Sequence, residues 1–85
     1  MEFNVRLRIL RAAHNFSQAQ LGEIAGIDTK FISHVETGKM LPSPEWEQRI
    51  RAALGWTPAV DAALDALAAA LAQGGPESAD QADAA

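Results

Sequence analysis

The 85-residue chain contains no cysteine. Neither a disulfide framework nor a thiolate-ligated metal site is open to it. Its two histidines, His14 and His34, stand alone, with no carboxylate or cysteine at ligand spacing. No glycine-rich phosphate loop and no nucleophile constellation is present. An enzyme is therefore not expected, and no cofactor or metal is implied. No apolar run approaches a membrane span, and the N-terminus lacks the charged-then-apolar order of a signal peptide. A cytoplasmic location without membrane attachment is the expectation. No internal repeat is visible. The length leaves room for one domain, whose core is marginal without help from a partner.

Basic residues are also missing from the C-terminal part. Residues 1–60 hold all seven bases against six acids, a net +1, whereas residues 61–85 hold five acids and no base. The net charge of −4 thus belongs to the end of the chain. A field of +1 is thin for a nucleic-acid binder, because phosphate neutralisation dominates non-specific affinity. One copy should bind DNA weakly.

What is present is organised around Ser17 to Lys39, SQAQLGEIAGIDTKFISHVETGK. Ser17 is an N-cap, and Gln20 completes a capping box with it. Leu21, Ile24 and Ala25 form an apolar face at helical spacing. Gly26 falls where a helix ends on a left-handed residue. Asp28 caps a second helix, spanning about 28–37, with Ile32 and Val35 inward and Gly38 as its stop. Helices joined this closely cross steeply, as in a helix-turn-helix, and Gly22 allows the close approach. Thr29, Lys30, Ser33 and His34 are left facing away from the core, where a recognition helix meets base edges in a major groove. Phe31 stays open between the rim of the core and a thymine-methyl contact.

These residues, with Ser17-Gln18, Ala25-Gly26-Ile27, Ile32-Ser33, Glu36-x-Gly38-Lys39, Pro42-Ser43 and Ile50-x-x-Ala53-Leu54-Gly55, resemble the λ-repressor/Cro (XRE) type of helix-turn-helix regulator. The resemblance covers about residues 4–56. It implies a compact all-α, five-helix DNA-binding domain. It also implies that Gln18 touches the DNA backbone and nearby bases, and that Arg11 and Glu36 form an internal ion pair.

The remaining segments fit around this unit. Asn4 is suited to cap a first helix ending near Asn15, with Leu7 and Leu10 inward and Phe16 closing the corner. Arg6 and Arg8 stand open between solvated side chains and phosphate contacts. Val5 and Ile9 share a separate face, as scattered surface residues or as residues that something covers. Ser17, Gln18 and Lys39 are candidates for gripping the DNA backbone. Met40 and Leu41 read as packing residues. Ser43-Pro44 starts a fourth helix, in which Trp46, Ile50, Ala53 and Leu54 face inward and Gly55 ends. Core filling is expected of Trp46 and Trp56. Thr57-Pro58 starts an alanine-rich helix to about Gln73. In it Val60, Leu64, Leu67 and Leu71 follow four-three-four spacing, a seam suited first to a dimer contact and otherwise to packing within the chain, over Val5 and Ile9. Asp61 and Asp65 beside that seam are expected to stay in solvent. Gly74-Gly75-Pro76 should end the helix, leaving a flexible acidic tail.

The chain thus divides into a DNA-binding unit (1–56), a C-terminal helix expected to dimerise (57–73) and an acidic tail (74–85). The expected function is transcriptional regulation, as a repressor, by a homodimer on a palindromic operator in double-stranded DNA. An antitoxin-like or adaptor protein, with a protein partner on the C-terminal region, is the alternative. A helix-turn-helix that has lost DNA binding is a third reading; the thin positive charge favours it, and the polar recognition face opposes it.

Overall fold

The computed structural model describes residues 1–74. They form five helices: α1 (Phe3–Ala13), α2 (Gln18–Ala25), α3 (Thr29–Glu36), α4 (Pro44–Leu54) and α5 (Pro58–Gly74). The fold is all-α, with no strand among the described residues. Gly74 closes α5, and the rest of the acidic tail lies outside the described residues.

Local chemistry sets most helix boundaries. The Gln20 amide donates to Ser17 Oγ at 3.0 Å, and the Ser17 amide donates to Gln20 Oε1 at 2.8 Å, closing a capping box. Asp28 Oδ1 accepts from the Lys30 amide at 2.9 Å. Ser43 Oγ accepts from the Trp46 amide at 3.2 Å, one residue ahead of Pro44. Each such cap is worth about 0.5–2 kcal/mol. Gly26 (φ 72°) and Gly55 (φ 59°) end α2 and α4 in the left-handed region.

The start of α1 departs from the sequence reading. Asn4 is not its cap. The helix starts two residues earlier, behind Glu2, whose side chain makes no capping bond. Asn4 therefore lies in the first turn. Its amide donates to the Glu36 carbonyl at 3.4 Å, serving an orphan acceptor at the C-terminus of α3. The helix also ends sooner, at Ala13, with Asn15 in the left-handed region at φ 60°.

Leu7, Leu21, Ile32 and Ile50 are wholly buried, and Val35, Leu54 and Trp56 nearly so. Burying each large aliphatic side chain contributes roughly 1.5–3 kcal/mol. Phe3, Leu10, Phe16, Phe31, Met40, Trp46 and Val60 pack around this cluster. Gly22 fixes the α2–α3 crossing, since a Cβ there would come within 2.5 Å of the Ile27 carbonyl oxygen. Leu21, Gly22 and Ala25 face inward, and Ile24, expected on the inner face, is 54 % exposed. Leu41, read as a packing residue, is exposed as well.

Along α5 the burial falls off. Val60 packs against the core and Leu64 is buried, whereas Leu67 and Leu71 are exposed. Among the described residues no helix is long and apolar enough to cross a membrane.

Candidate nucleic-acid interface

The polar side of α3 is presented by its apolar side. With Ile32 and Val35 in the core, the 3.6-residue repeat turns Lys30 outward; Thr29, the first residue of α3, is exposed as well, and Ser33 and His34 are half-exposed. Phe31 packs against the core as its rim, with its ring centroid 5.2 Å from that of Trp46. Lys30 Nζ lies 5.0 Å above the Phe31 ring, and the His34 ring meets Phe31 edge-on at 6.4 Å. The hydroxyl of Thr37 donates to the Ser33 carbonyl at 2.9 Å and secures the end of the helix.

Behind this face sits one buried carboxylate. Glu36 is 2 % exposed. Arg11 donates to it through Nε (2.5 Å, to Oε2) and Nη2 (3.0 Å, to Oε1). Such a fork fixes orientation as well as distance. Arg11 Nη1 also donates to the Phe16 carbonyl at 2.8 Å, and Gln18 Nε2 donates to Glu36 Oε1 at 3.1 Å. With Asn4 on its carbonyl, Glu36 joins α1, α2 and α3. No buried side-chain polar atom among the described residues lacks a partner. The Asn4 and Gln18 bonds had no signature in the sequence, because each reaches across helices to an acid whose role the local pattern does not reveal.

Ser17, Gln18 and Lys39 lie at the ends of the α2–α3 pair. The capping box uses the amides of Ser17 and Gln20, so the amides of Gln18 and Ala19 remain for an outside acceptor among the described residues. The Ser17 hydroxyl, an acceptor in the cap, can still donate outward. Lys39 is exposed in the loop after α3. Arg6, Arg11, Arg49 and Arg51 are engaged in ion pairs. Among the described residues Arg8, Lys30 and Lys39 have no carboxylate partner.

A second polar cluster lies where α5 meets the body, and it changes the reading of Arg6 and Asp61. Asp61 is not left in solvent. Its Oδ1 accepts from Trp56 Nε1 at 2.7 Å and from Arg6 Nη1 at 3.1 Å, and its Oδ2 accepts from Arg51 Nη1 at 3.1 Å. Asp65 also pairs with Arg6. The Arg51 guanidinium stacks 4.4 Å from the Trp56 ring, which stacks in turn on Phe3 at 4.8 Å. The Trp56 bond holds the Asp61 carboxyl below its ordinary pKa; burial opposes this, and the arginines add to it. An acid in a first helical turn is already favourable beside the helix N-terminus. Asp61 therefore gave no hint in the sequence of these distant partners.

The four seam residues differ in exposure along one side of α5. Leu64 is 6 % exposed within the chain, against 44 % for Leu67 and 59 % for Leu71. Val60 is half-buried against the core. Among the described residues no group of three or more His, Cys, Asp or Glu is placed to hold a metal ion.

A family model described as a helix-turn-helix domain matches residues 2–80. No curated protein and no solved structure gives a significant match.

Proposed function

We propose, from the premise that the chain belongs to the helix-turn-helix domain family, that it is a sequence-specific DNA-binding transcriptional regulator of the λ-repressor/Cro type. In this reading α3 enters the major groove. Thr29, Lys30, Ser33 and His34 read base edges, with Lys30 donating to guanine acceptors and Thr29 touching a thymine methyl. Ser17, Gln18 and Lys39 hold phosphates on either side. The observation that carries the reading is the outward, polar face of α3, fixed from behind by Glu36.

The regulator acts as a homodimer on a palindromic operator, as a repressor that excludes other proteins from the bound site. Two copies on one duplex compensate for the weak field of one. Leu67 and Leu71 supply the contact, because they are exposed apolar residues on a helix that is otherwise largely alanine at this end. Leu64 and Val60 set the base of that helix from within the chain. Binding-site selection from a random duplex pool tests the reading. Two inverted half-sites about 34–36 Å apart are expected, and a pool without enrichment would refute it. The same leucines also suit a protein partner in an antitoxin-like or adaptor role, which co-purification of a stoichiometric partner from the native host would reveal.

A further inference from the structure

We infer that Arg8 binds a backbone phosphate of the DNA, completing a strip of contacts that runs from the loop after α3 to the start of α2. The inference rests on the DNA-binding reading above. Arg6 and Arg8 are two residues apart, so they project about 200° apart around α1. Arg6 faces α5, where Asp61 and Asp65 occupy it. Arg8 therefore faces the other way, and it is exposed.

Its surroundings follow from its neighbours on the helix. Asn4, one turn earlier, donates to the Glu36 carbonyl and borders Gly38, whose Cβ position would lie 3.6 Å from Asn4 Nδ2. Arg11, three residues later, reaches Glu36 and the Phe16 carbonyl. Asn4, Arg8 and Arg11 fall within about 60° of one another at 3.6 residues per turn. Arg8 thus stands on the edge of α1 that borders α3, between the Gly38–Lys39 loop and the Phe16–Gln18 corner. Both flanking segments carry the proposed backbone contacts, Lys39 on one side and Ser17 and Gln18 on the other.

Charge points the same way. Each of the other arginines serves an internal carboxylate. Arg8, Lys30 and Lys39 are the cations without one among the described residues. Lys30 starts α3, Lys39 follows its end, and Arg8 borders that end from α1. In a chain whose net charge is −4, the cations free to meet an anion are thus gathered around the α3 edge. A duplex backbone presents anions along that edge, and an unpaired guanidinium matches a phosphate with two parallel donors.

The test is the salt dependence of duplex binding by the full chain, with Arg8→Ala, Arg8→Lys and Arg6→Ala beside the wild type. Each phosphate neutralised contributes about 0.9 to the slope of log K against log salt. Arg8→Ala should lower that slope by about one and weaken selected and random duplexes alike, with an unchanged melting temperature. Arg8→Lys should restore the slope, since it keeps the charge. Arg6→Ala should leave the slope unaltered while lowering the melting temperature. A wild type that binds with the same slope as Arg8→Ala would overturn the assignment and leave the DNA-binding reading standing. A wild type that binds no duplex would overturn both.

Discussion

Two carboxylates join helices in this protein, and each takes an arginine from α1. Glu36 takes Arg11 and links α1, α2 and α3. Asp61 takes Arg6 and links α1, α4 and α5, with Trp56 and Arg51 as further donors. Their settings differ. The Glu36 side chain is 2 % exposed and that of Asp61 32 %. A buried pair is shielded from salt and costly to break, because removing one partner strands the other's charge away from water. A half-exposed pair is screened and contributes modestly. The helices α2 and α3 are therefore held by the stiffer junction. The helix that carries the exposed leucines is held by the softer one.

The largest expected effect tests the stiff side. Glu36→Ala removes both acceptors of the Arg11 fork and the acceptor of Gln18. The cost should be about 3–5 kcal/mol. In a domain of this size that lowers the melting temperature by more than about 10 °C. A melting temperature within a few degrees of wild type would show that the junction contributes little and that the contrast with Asp61 is false.

The second test breaks the α5 side without touching the core. Leu67→Asp combined with Leu71→Asp places two charges on the exposed leucine positions. The wild type should sediment as a dimer, and the double variant as a folded monomer with undiminished helix content. A variant that stays dimeric, or a wild type that is monomeric at high micromolar concentration, would refute the contact. Leu64 is unsuitable for this purpose, since its burial within the chain would mix unfolding with dissociation.

The smallest effect sharpens the comparison through pH. The Trp56 bond, opposed by burial and aided by Arg51 and Arg6, lowers the Asp61 pKa in the folded state. A lowered acid binds more protons unfolded than folded, so its contribution is complete above the ordinary carboxylate range of about 4. It is lost as pH falls through the lowered folded value. Asp61→Asn keeps an acceptor for Trp56 but no charge for the arginines. It should cost about 1 kcal/mol at neutral pH, in the range of partly exposed pairs. Thermal melts of the two proteins should run parallel from neutral pH to about 5 and converge below about 4. Parallel melts throughout the acid range would show that Asp61 is not the titrating group.

The two junctions also differ in how far the sequence reveals them. Caps are local, spanning two or three residues. Ser17 with Gln20, Asp28, Ser43 with Pro44 and Thr57 with Pro58 could therefore be placed from spacing alone, and with them the starts of α2, α3, α4 and α5. The outward position of Lys30 follows from Ile32 and Val35 by the 3.6-residue periodicity. Arg11 with Glu36 was approachable only through resemblance to a known family, since 25 residues separate them. Asp61 with Arg6 spans 55 residues and left no pattern. The four-three-four leucine spacing of α5 describes a continuous stripe, but it cannot show where the body of the domain stops covering that stripe. That limit falls between Leu64 and Leu67. Ile24 is exposed for a related reason: Gly22 takes the inward place against Ile27, and a residue two positions on lies nearly opposite it on the helix.

The central claim is that the face of α3 held in place by Glu36 reads bases. It is tested most directly by carrying the wild type and Lys30→Ala through binding-site selection from the same random duplex pool. A palindromic motif is expected for the wild type and, for the variant, the same motif with preference relaxed at one or two base pairs in each half-site. Identical motifs from the two proteins, or no motif from the wild type, would contradict it.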